Sequence, residues 1–188
     1  MEGKIIVISA PSGCGKSTII HQIMERRLVN LEFSVSATSR PPREGETHGV
    51  NYWFLTEKEF RDAIEREEFV EFEEVYPGRF YGTLKKEIED KCSQGRNIIL
   101  DIDVKGGLNV KKIFGERVLT IFIEPPSIDE LRNRLLSRGT ETEESLNQRV
   151  GKAEYELSFT NLYDVRIVND DLSQAVIETE SVILSFID

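Results

Sequence analysis

Cysteine, histidine and tryptophan are scarce in this chain of 188 residues, which contains two, two and one of them, respectively. Cys14 and Cys92 are isolated, with no C-x-x-C pair and no histidine cluster, so the sequence indicates neither a disulfide framework nor a zinc site. His21 and His48 have no evident serine or cysteine partner, so no nucleophile-and-base set for covalent catalysis is visible. The isolated cysteines fit a reducing compartment.

Long apolar runs are absent as well. A helix that spans a bilayer needs about 20 apolar residues, and a signal peptide needs an apolar stretch before a cleavage site with small residues. We therefore expect no membrane partner, no secretory leader and a cytoplasmic location. The net charge of −10 leaves no basic face of the kind that a nucleic-acid backbone requires, so we expect no nucleic-acid partner.

The chain does contain a loop that is suited to binding polyphosphate. Residues 10–18 read APSGCGKST and lie between an apolar run at residues 5–8 and an apolar stripe with helical spacing. The glycines let the backbone curl so that its N–H groups point inward, and the helix N-terminus adds positive partial charge. The residues predicted to bind a nucleoside triphosphate here are Ala10, Pro11, Ser12, Gly13, Cys14, Gly15, Lys16, Ser17 and Thr18.

Two positions of this loop carry most of the expected chemistry. Lys16 is expected to reach the β- and γ-phosphates, and the hydroxyl of Ser17 is expected to ligate Mg²⁺. The loop departs from the pattern G-x-x-x-x-G-K-[ST] only at Ala10, whose methyl group is tolerable because the following Pro11 favours a negative φ there. The alternative is a chance glycine-rich turn, which the ordered series of strand, loop and helix disfavours.

Short apolar runs alternate with helical patterns along the chain, which predicts a parallel sheet in an α/β domain. Residues 38–94 are too many for a plain crossover and hold aromatic strand-like pieces and an amphipathic helix at 57–65, so they predict an inserted α+β subdomain. Residues 125–160 are helical, rich in arginine and follow a strand end, which predicts a mobile lid. The predicted core comprises residues 1–37, 95–124 and 161–188, with strands at 5–9, 33–37, 97–103, 118–124 and 165–169 and a closing helix from Leu172 to Phe186.

Arg40 and Arg43 flank two prolines, which stiffen the backbone and place two guanidinium groups on one short bend. A planar guanidinium fork is suited to a phosphate monoester dianion. A solvated basic turn is the alternative, and the nearby triphosphate loop favours the phosphate interpretation.

Further arginines lie in the predicted lid. Arg134 and Arg138 are four residues apart and project from one helical face, and Arg149 follows on a second helix whose predicted cap is Thr140. Arginines that close over a transferring phosphoryl group would stabilise the charge on its oxygens. Taken alone, helix arginines are more often solvated than catalytic, so this interpretation depends on the phosphate loop.

Asp101 and Asp103 end a predicted buried strand, and their i, i+2 spacing puts both carboxylates on one face. Asp101 is placed to hold Mg²⁺, directly or through water, and the alternative is that the pair caps a loop. A phosphate monoester needs no general base in order to attack, because with a second pKa of about 6 it is largely a dianion at pH 7. The residues therefore predict phosphoryl transfer to a phosphorylated acceptor.

A series of ordered motifs makes the chain resemble the guanylate kinase family nearly from end to end. They are SAPSGCGKS at 9–17, FSVSATSR at 33–40, REGE at 43–46, YWF at 52–54, YGT at 81–83, LDID at 100–103, PPS at 125–127, RGTETEES at 138–145 and VNDD at 168–171. The resemblance implies a P-loop NTPase-type α/β fold with a five-stranded parallel core, an inserted GMP-binding subdomain and a helical lid. It also implies an enzyme of purine nucleotide metabolism that transfers the γ-phosphoryl group of ATP to GMP with Mg²⁺.

The resemblance also implies a role for individual residues. Guanine presents N1–H and N2–H together, which a carboxylate such as Glu71 can accept, whereas adenine lacks this pair of donors. The implied GMP set is Arg40, Arg43, Tyr52 and Tyr81 for the phosphate, Ser36, Glu71, Thr83 and Asp103 for guanine, and Glu46 and Gly82 from the same motifs. The implied catalytic clamps are Lys16, Arg134, Arg138 and Arg149, with Asn169 near the adenine of ATP and Ser17 and Asp101 at the metal.

Two rival functions remain at this point. Scaffold proteins contain similar domains that bind phosphopeptides, but those generally have degraded phosphate loops, whereas Gly15, Lys16 and Ser17 are intact. A kinase for another phosphorylated acceptor would differ in whether Glu71 and Ser36 meet a guanine edge. The chain departs from the family's common pattern at residues 74–80, a stretch that is slightly longer here. The sequence leaves a monomer and a homo-oligomer both open.

Overall fold

The computed structural model describes residues 2–27, 30–137 and 142–188. Its strands are β1 (Ile5–Ser9), β2 (Leu31–Phe33), β3 (Ala37–Thr38), β4 (Trp53–Phe54), β5 (Phe69–Tyr76), β6 (Arg79–Leu84), β7 (Asn97–Asp101), β8 (Val118–Glu124) and β9 (Val165–Val168). Its helices are α1 (Lys16–Arg26), α2 (Glu57–Glu65), α3 (Lys85–Ser93), α4 (Val104–Phe114), α5 (Ile128–Ser137), α6 (Glu143–Leu157) and α7 (Leu172–Ile187).

The central sheet is parallel throughout, with the order β2-β7-β1-β8-β9. The predicted five-stranded parallel core is therefore confirmed. Ile6 and Ile8 of the middle strand pack toward α1 and α7, whereas Ile5 and Val7 pack toward α3 and α4. Because successive side chains of a strand point to opposite faces, a strand covered on both faces needs such an unbroken apolar run.

One predicted strand, at residues 33–37, is wrong in its bounds. The chain ends β2 at Phe33 and then leaves the central sheet, so that Ala37 is completely buried in a second sheet, where it pairs with Trp53 and Gly82. Leu31 rather than Phe33 carries the buried side chain of β2. Residues 34–36 thus connect the two sheets.

The second sheet has the order β4-β3-β6-β5 and is mainly antiparallel. The rings of Phe60, Phe69 and Phe80 stack beneath it, with 4.3 Å between the first two centroids and 5.2 Å between Phe60 and Phe80. Helix α2 has the predicted bounds because Thr56 and Glu59 form a reciprocal capping box. The longer stretch at 74–80 forms the end of the β5–β6 hairpin, where Glu74 pairs with Phe80.

One strand end and one helix cap differ from the predictions. Strand β7 ends at Asp101, not at Asp103, because the Asp103 side chain accepts a hydrogen bond from the Gly106 N–H and caps α4. Helix α6 is capped by Thr142, whose hydroxyl accepts from the Ser145 N–H at 3.2 Å, so the predicted cap at Thr140 is wrong. Thr140 itself lies outside the described residues.

In the part of the chain that the structure describes, no helix combines the length and the apolarity that crossing a bilayer requires.

Candidate active site

The phosphate loop connects the end of β1 to the start of α1 at the carboxyl edge of the central sheet. Gly13 and Gly15 have φ values of 97° and 83°, a region that favours glycine. Among the described residues, the non-glycine residues with positive φ are Arg27 and Glu67. Ala10 therefore has a negative φ, as predicted, and its methyl group is accommodated.

The side chain of Asn169 supports the phosphate loop through the backbone of Cys14, which is a residue of that loop. The Asn169 side chain is almost completely buried and donates from Nδ2 to the Cys14 carbonyl at 2.8 Å. A Cβ atom on Gly15 would lie 2.4 Å from the same nitrogen, so only glycine fits there. Burial raises the pKa of the Cys14 thiol to about 12, which makes it an uncharged space-filling side chain. The contact of the Asn169 side chain is thus with the loop backbone.

A cavity of about 440 Å³, the loop cavity, opens in front of the phosphate loop. Lys16 and Asp101 meet at its wall, with 2.6 Å between Nζ and Oδ1. The predicted residues that line it are Ala10, Ser12, Gly13, Gly15, Lys16, Ser17, Thr18, Asp101, Asp103 and Arg149. The loop cavity therefore gathers backbone N–H groups, a lysine and hydroxyls, the donor set that a polyphosphate requires.

Of the predicted lid arginines, Arg149 lines the loop cavity, whereas Arg134 contacts the backbone of Asn169. Arg149 of α6 donates from Nη1 to the hydroxyl of Ser12 at 2.9 Å. Arg134 of α5 donates to the carbonyl of Asn169 at 2.8 Å and to the carboxylate of Glu130 at 2.9 Å. Arg138 lies outside the described residues. Both described arginines are thus anchored beside the loop by hydrogen bonds.

A second cavity of about 760 Å³, the sheet cavity, lies between the second sheet and α4. Residues 101–103 line both cavities, so the two are adjoining spaces. The predicted acceptor residues that line the sheet cavity are Ser36, Tyr52, Glu71, Tyr81, Gly82 and Asp103. The fold therefore brings together residues that are up to 67 positions apart, the separation of Ser36 and Asp103.

Glu71 and Thr83 face each other across strands β5 and β6, and the Thr83 hydroxyl donates to Glu71 Oε1 at 2.5 Å. Burial raises the pKa of the Glu71 carboxyl, and the nearby Asp103 raises it further, while the hydrogen bond from Thr83 lowers it. Gly106 lets α4 approach the Glu71 side chain, because a Cβ atom there would lie 2.9 Å from Glu71 Cγ. The site therefore holds a half-buried carboxyl, one of whose oxygens accepts a hydrogen bond from Thr83.

Arg40 is buried, and its guanidinium donates to both oxygens of Glu46 at 2.6 Å. It also lies over the ring of Tyr52, 5.0 Å from the centroid. The hydrogen bonds from Arg40 and from the Arg43 N–H hold the pKa of Glu46 down at about 2. Glu46 and, to a smaller extent, Tyr81 raise the pKa of Arg40 above its usual value. Arg43 is exposed, so the two guanidinium groups differ in burial.

Two residues that line the loop cavity belong to none of the sequence motifs. Lys152 and Glu156 line the loop cavity and form an i, i+4 ion pair of 3.9 Å on α6. Burial raises the pKa of Glu156, and Lys152 lowers it. Their i, i+4 spacing was the available signal, but it is common on solvated helices.

Within the described ranges, no group of three or more His, Cys, Asp or Glu residues forms a metal site.

The chain is similar to known proteins over nearly its whole length. The family model described as guanylate kinase matches residues 2–185. A guanylate kinase of Bacteroides thetaiotaomicron is 56% identical over 187 residues, which are 100% of this chain and 91% of that protein. One of Porphyromonas gingivalis is 52% identical over 184 residues, 98% of each chain. A crystal structure of guanylate kinase from Anaplasma phagocytophilum has a TM-score of 0.70 at 32% identity and covers 99% of this chain and 87% of its own.

Proposed function

The chain belongs to the guanylate kinase family, and we propose that its loop cavity binds ATP while its sheet cavity binds GMP. The protein is an ATP:GMP phosphotransferase that forms ADP and GDP. The observation that supports this arrangement is the strip of residues 101–103, which lines both cavities. Nucleotides that enter from the two sides would bring their phosphates together at this strip.

In the loop cavity, the N–H groups of the phosphate loop and the N-terminus of α1 bind the ATP phosphates. The residues proposed for this contact are Ala10, Pro11, Ser12, Gly13, Cys14, Gly15, Lys16, Ser17 and Thr18. Lys16 exchanges its carboxylate partner for the β- and γ-phosphates. Asn169 supports the loop through the Cys14 carbonyl, next to the place proposed for the adenine.

The oxygen donors beside Lys16 fit a magnesium ion that binds together with ATP. The Ser17 hydroxyl and the Asp101 carboxylate line the loop cavity, and hard oxygen ligands are what Mg²⁺ prefers. We assign Ser17 as a ligand and Asp101 as a ligand through water. When bound, the ion would neutralise phosphate charge.

During transfer, an oxygen of the GMP phosphate attacks the γ-phosphorus while the bond to the β–γ bridging oxygen breaks and ADP leaves. The attacking phosphate is largely a dianion at pH 7, since its second pKa is about 6, so no protein base is required. Lys16, Arg134, Arg138 and Arg149 stabilise the charge on the transferring group. The anchoring of Arg134 and Arg149 beside the loop supports this role.

The phosphate of GMP is assigned to Tyr52 and Tyr81, which line the sheet cavity, and to Arg40 and Arg43 in the loop after β3. Glu46 orients the Arg40 fork. The guanine edge meets an ionised Glu71, which accepts from N1–H and N2–H. Ser36, Gly82, Thr83 and Asp103 complete the guanine contacts. The cross-strand hydrogen bond from Thr83 supports this assignment, because it orients the carboxylate before guanine arrives.

We further propose that the molecule closes when both nucleotides bind. Residues 38–94, which contain most of the second sheet, and the lid, residues 125–160, move toward the core. Closure excludes water that would otherwise accept the phosphoryl group. Two free, buried cysteines support a reducing, cytoplasmic location. Both a monomer and a homo-oligomer are compatible with this proposal.

A coupled assay of ADP formation tests the choice of acceptor. We expect GMP to be phosphorylated and AMP, CMP and UMP to be turned over at least about 10⁴-fold less efficiently in kcat/KM, because they leave buried polar groups of the pocket unpaired. Comparable kcat/KM values for GMP and AMP would contradict the assignment of the sheet cavity to guanine. ATP hydrolysis that no monophosphate accelerates would contradict the assignment of the cavity as an acceptor site.

A further inference from the structure

Glu87 is a buried carboxylate that lies outside both cavities. It belongs to α3, which packs Ile88 and Cys92 against the central sheet. Its side chain is only 8% exposed and points to the place where residues 34–36 cross from β2 to β3. A charged group in such a position is costly unless it has partners.

The carboxylate accepts hydrogen bonds from two other segments of the chain and forms an ion pair within its own helix. Oε1 accepts from the backbone N–H of Val35 at 3.1 Å and lies 3.0 Å from the ammonium group of Lys91. Oε2 accepts from the indole N–H of Trp53 at 3.1 Å. Lys91 in turn donates to the carbonyl of Phe33 at 2.7 Å. The group therefore joins a helix of the central core to the connecting segment and to the second sheet.

These contacts lie on both sides of Ser36. Val35 precedes it in the connecting segment, and the backbone N–H of Trp53 donates to the Ser36 carbonyl at 2.8 Å. Ser36 and Tyr52, the neighbours of the two donors, both line the sheet cavity. Glu87 thus binds the chain neighbours of two residues that line the sheet cavity, but it does not line the cavity itself.

We propose that Glu87 is a positioning residue for the acceptor nucleotide. Through Val35 and Trp53 it sets the place of Ser36 and Tyr52 relative to the central core, and it does so without contact to either nucleotide. This inference rests on the proposed binding of GMP in the sheet cavity. A purely structural ion pair with Lys91 is the competing explanation, and it would affect folding without a preference for one substrate.

The test is Glu87→Gln, with Glu89→Gln as the matched control. Glutamine keeps the size of the side chain but offers the Trp53 N–H an amide group that also donates. We expect the KM for GMP to rise about tenfold, on the scale of one charge-assisted hydrogen bond, with the KM for ATP nearly unchanged. Glu89 is exposed on the same helix, so its variant should retain both KM values.

Trp53 supplies a direct optical readout because it is the only tryptophan of the chain. The emission maximum of Glu87→Gln should shift relative to the wild type, whereas that of Glu89→Gln should not. A second variant, Trp53→Phe, removes the indole donor and leaves Glu87 its other partners, and it should also raise the KM for GMP selectively. In the Trp53→Phe background, Glu87→Gln should add less than it costs alone.

The outcomes separate this inference from the proposed function. A lower melting temperature with unchanged KM for GMP and unchanged emission would overturn it, as would parallel increases of the KM for GMP and for ATP. If Glu87→Gln did not fold, an unchanged KM for GMP in Trp53→Phe would overturn it equally. Failure of the wild-type protein to phosphorylate GMP would instead contradict the proposed function.

Discussion

Lys16 and Asp101 form an ion pair in which Nζ and Oδ1 are 2.6 Å apart. The pair joins the first residue of α1 to the last residue of β7, at the wall of the loop cavity. Asp101 thereby holds the lysine ammonium at the edge of the space that we assign to the phosphates of ATP. A bound polyphosphate would offer Lys16 a more highly charged partner at the same place.

The first prediction is the effect of Lys16→Met. Because this ammonium group is proposed to stabilise charge that develops during transfer, kcat should fall by at least about a hundredfold, the scale of losing one transition-state donor. The KM for GMP should change far less, since the GMP phosphate is assigned to Arg40 and Arg43 in the loop between β3 and β4. Steady-state kinetics with each substrate varied would measure both, with Lys112→Met, an exposed lysine of α4, as the control. Near-normal turnover would contradict the role of the phosphate loop.

Gly106 offers a test of how tightly α4 approaches the sheet cavity. A Cβ atom there would lie 2.9 Å from Glu71 Cγ and 3.2 Å from Asp103 Oδ1. Overpacking of this kind costs about 1–3 kcal/mol, so Gly106→Ala should raise the KM for GMP by about tenfold. Gly151→Ala is the matched control on α6, where an added Cβ meets nothing within 4 Å. An unchanged KM in Gly106→Ala would show that Glu71 does not need its present position.

Much of the fold follows from local sequence. The apolar runs of β1 and β8, the latter interrupted only by Thr120, and the capping box of α2 lie within their own segments. These three elements have the predicted bounds. The glycines and the Gly-Lys-Ser motif of the phosphate loop are equally local, because backbone geometry alone requires them.

Other features depend on contacts between distant segments. Whether residues 33–37 continue one strand or pass between two sheets is decided by pairing partners near Trp53 and Gly82 and by the anchor at Glu87. Likewise, position 106 requires a glycine only because the side chain of Glu71, 35 positions earlier, packs against it. Such residues have no motif of their own, so the candidate site could be predicted in its motifs but not in the residues that hold those motifs together.

A third prediction concerns pH and the Arg40–Glu46 pair. The pKa of Glu46 is lowered from 4.5 to about 2 on folding, chiefly by the hydrogen bonds from Arg40. A lowered pKa means that the pair stabilises the folded state fully above about pH 4.5 and loses this contribution as the pH falls toward 2. Urea unfolding from pH 6 to pH 3 should therefore show a free-energy difference between wild type and Glu46→Gln that shrinks with falling pH. A constant difference would contradict the coupling.

The choice of base is expected to depend on the charge of Glu71. Burial and Asp103 raise the pKa of this carboxyl above its usual value of 4.5, so it takes up a proton at a higher pH than an exposed glutamate would. A protonated Glu71 can no longer accept from both N1–H and N2–H of guanine. Hence the KM for GMP of the wild-type protein should begin to rise, as the pH is lowered, before an ordinary glutamate would titrate, while the KM for ATP should not follow it.

Glu71→Gln tests the same contact directly. The substitution keeps the shape of the side chain but turns one acceptor oxygen into a donor that faces a donor of guanine, at a cost of roughly 2–4 kcal/mol. The KM for GMP should therefore rise at least about thirtyfold. The part of its pH dependence that comes from Glu71 should be lost, which leaves only that of the GMP phosphate, whose second pKa is about 6. Glu74→Gln, farther along β5 and outside the sheet cavity, is the control and should bind GMP normally. An unchanged KM for GMP in Glu71→Gln would show that Glu71 only supports the strand and that base selection lies elsewhere in the cavity.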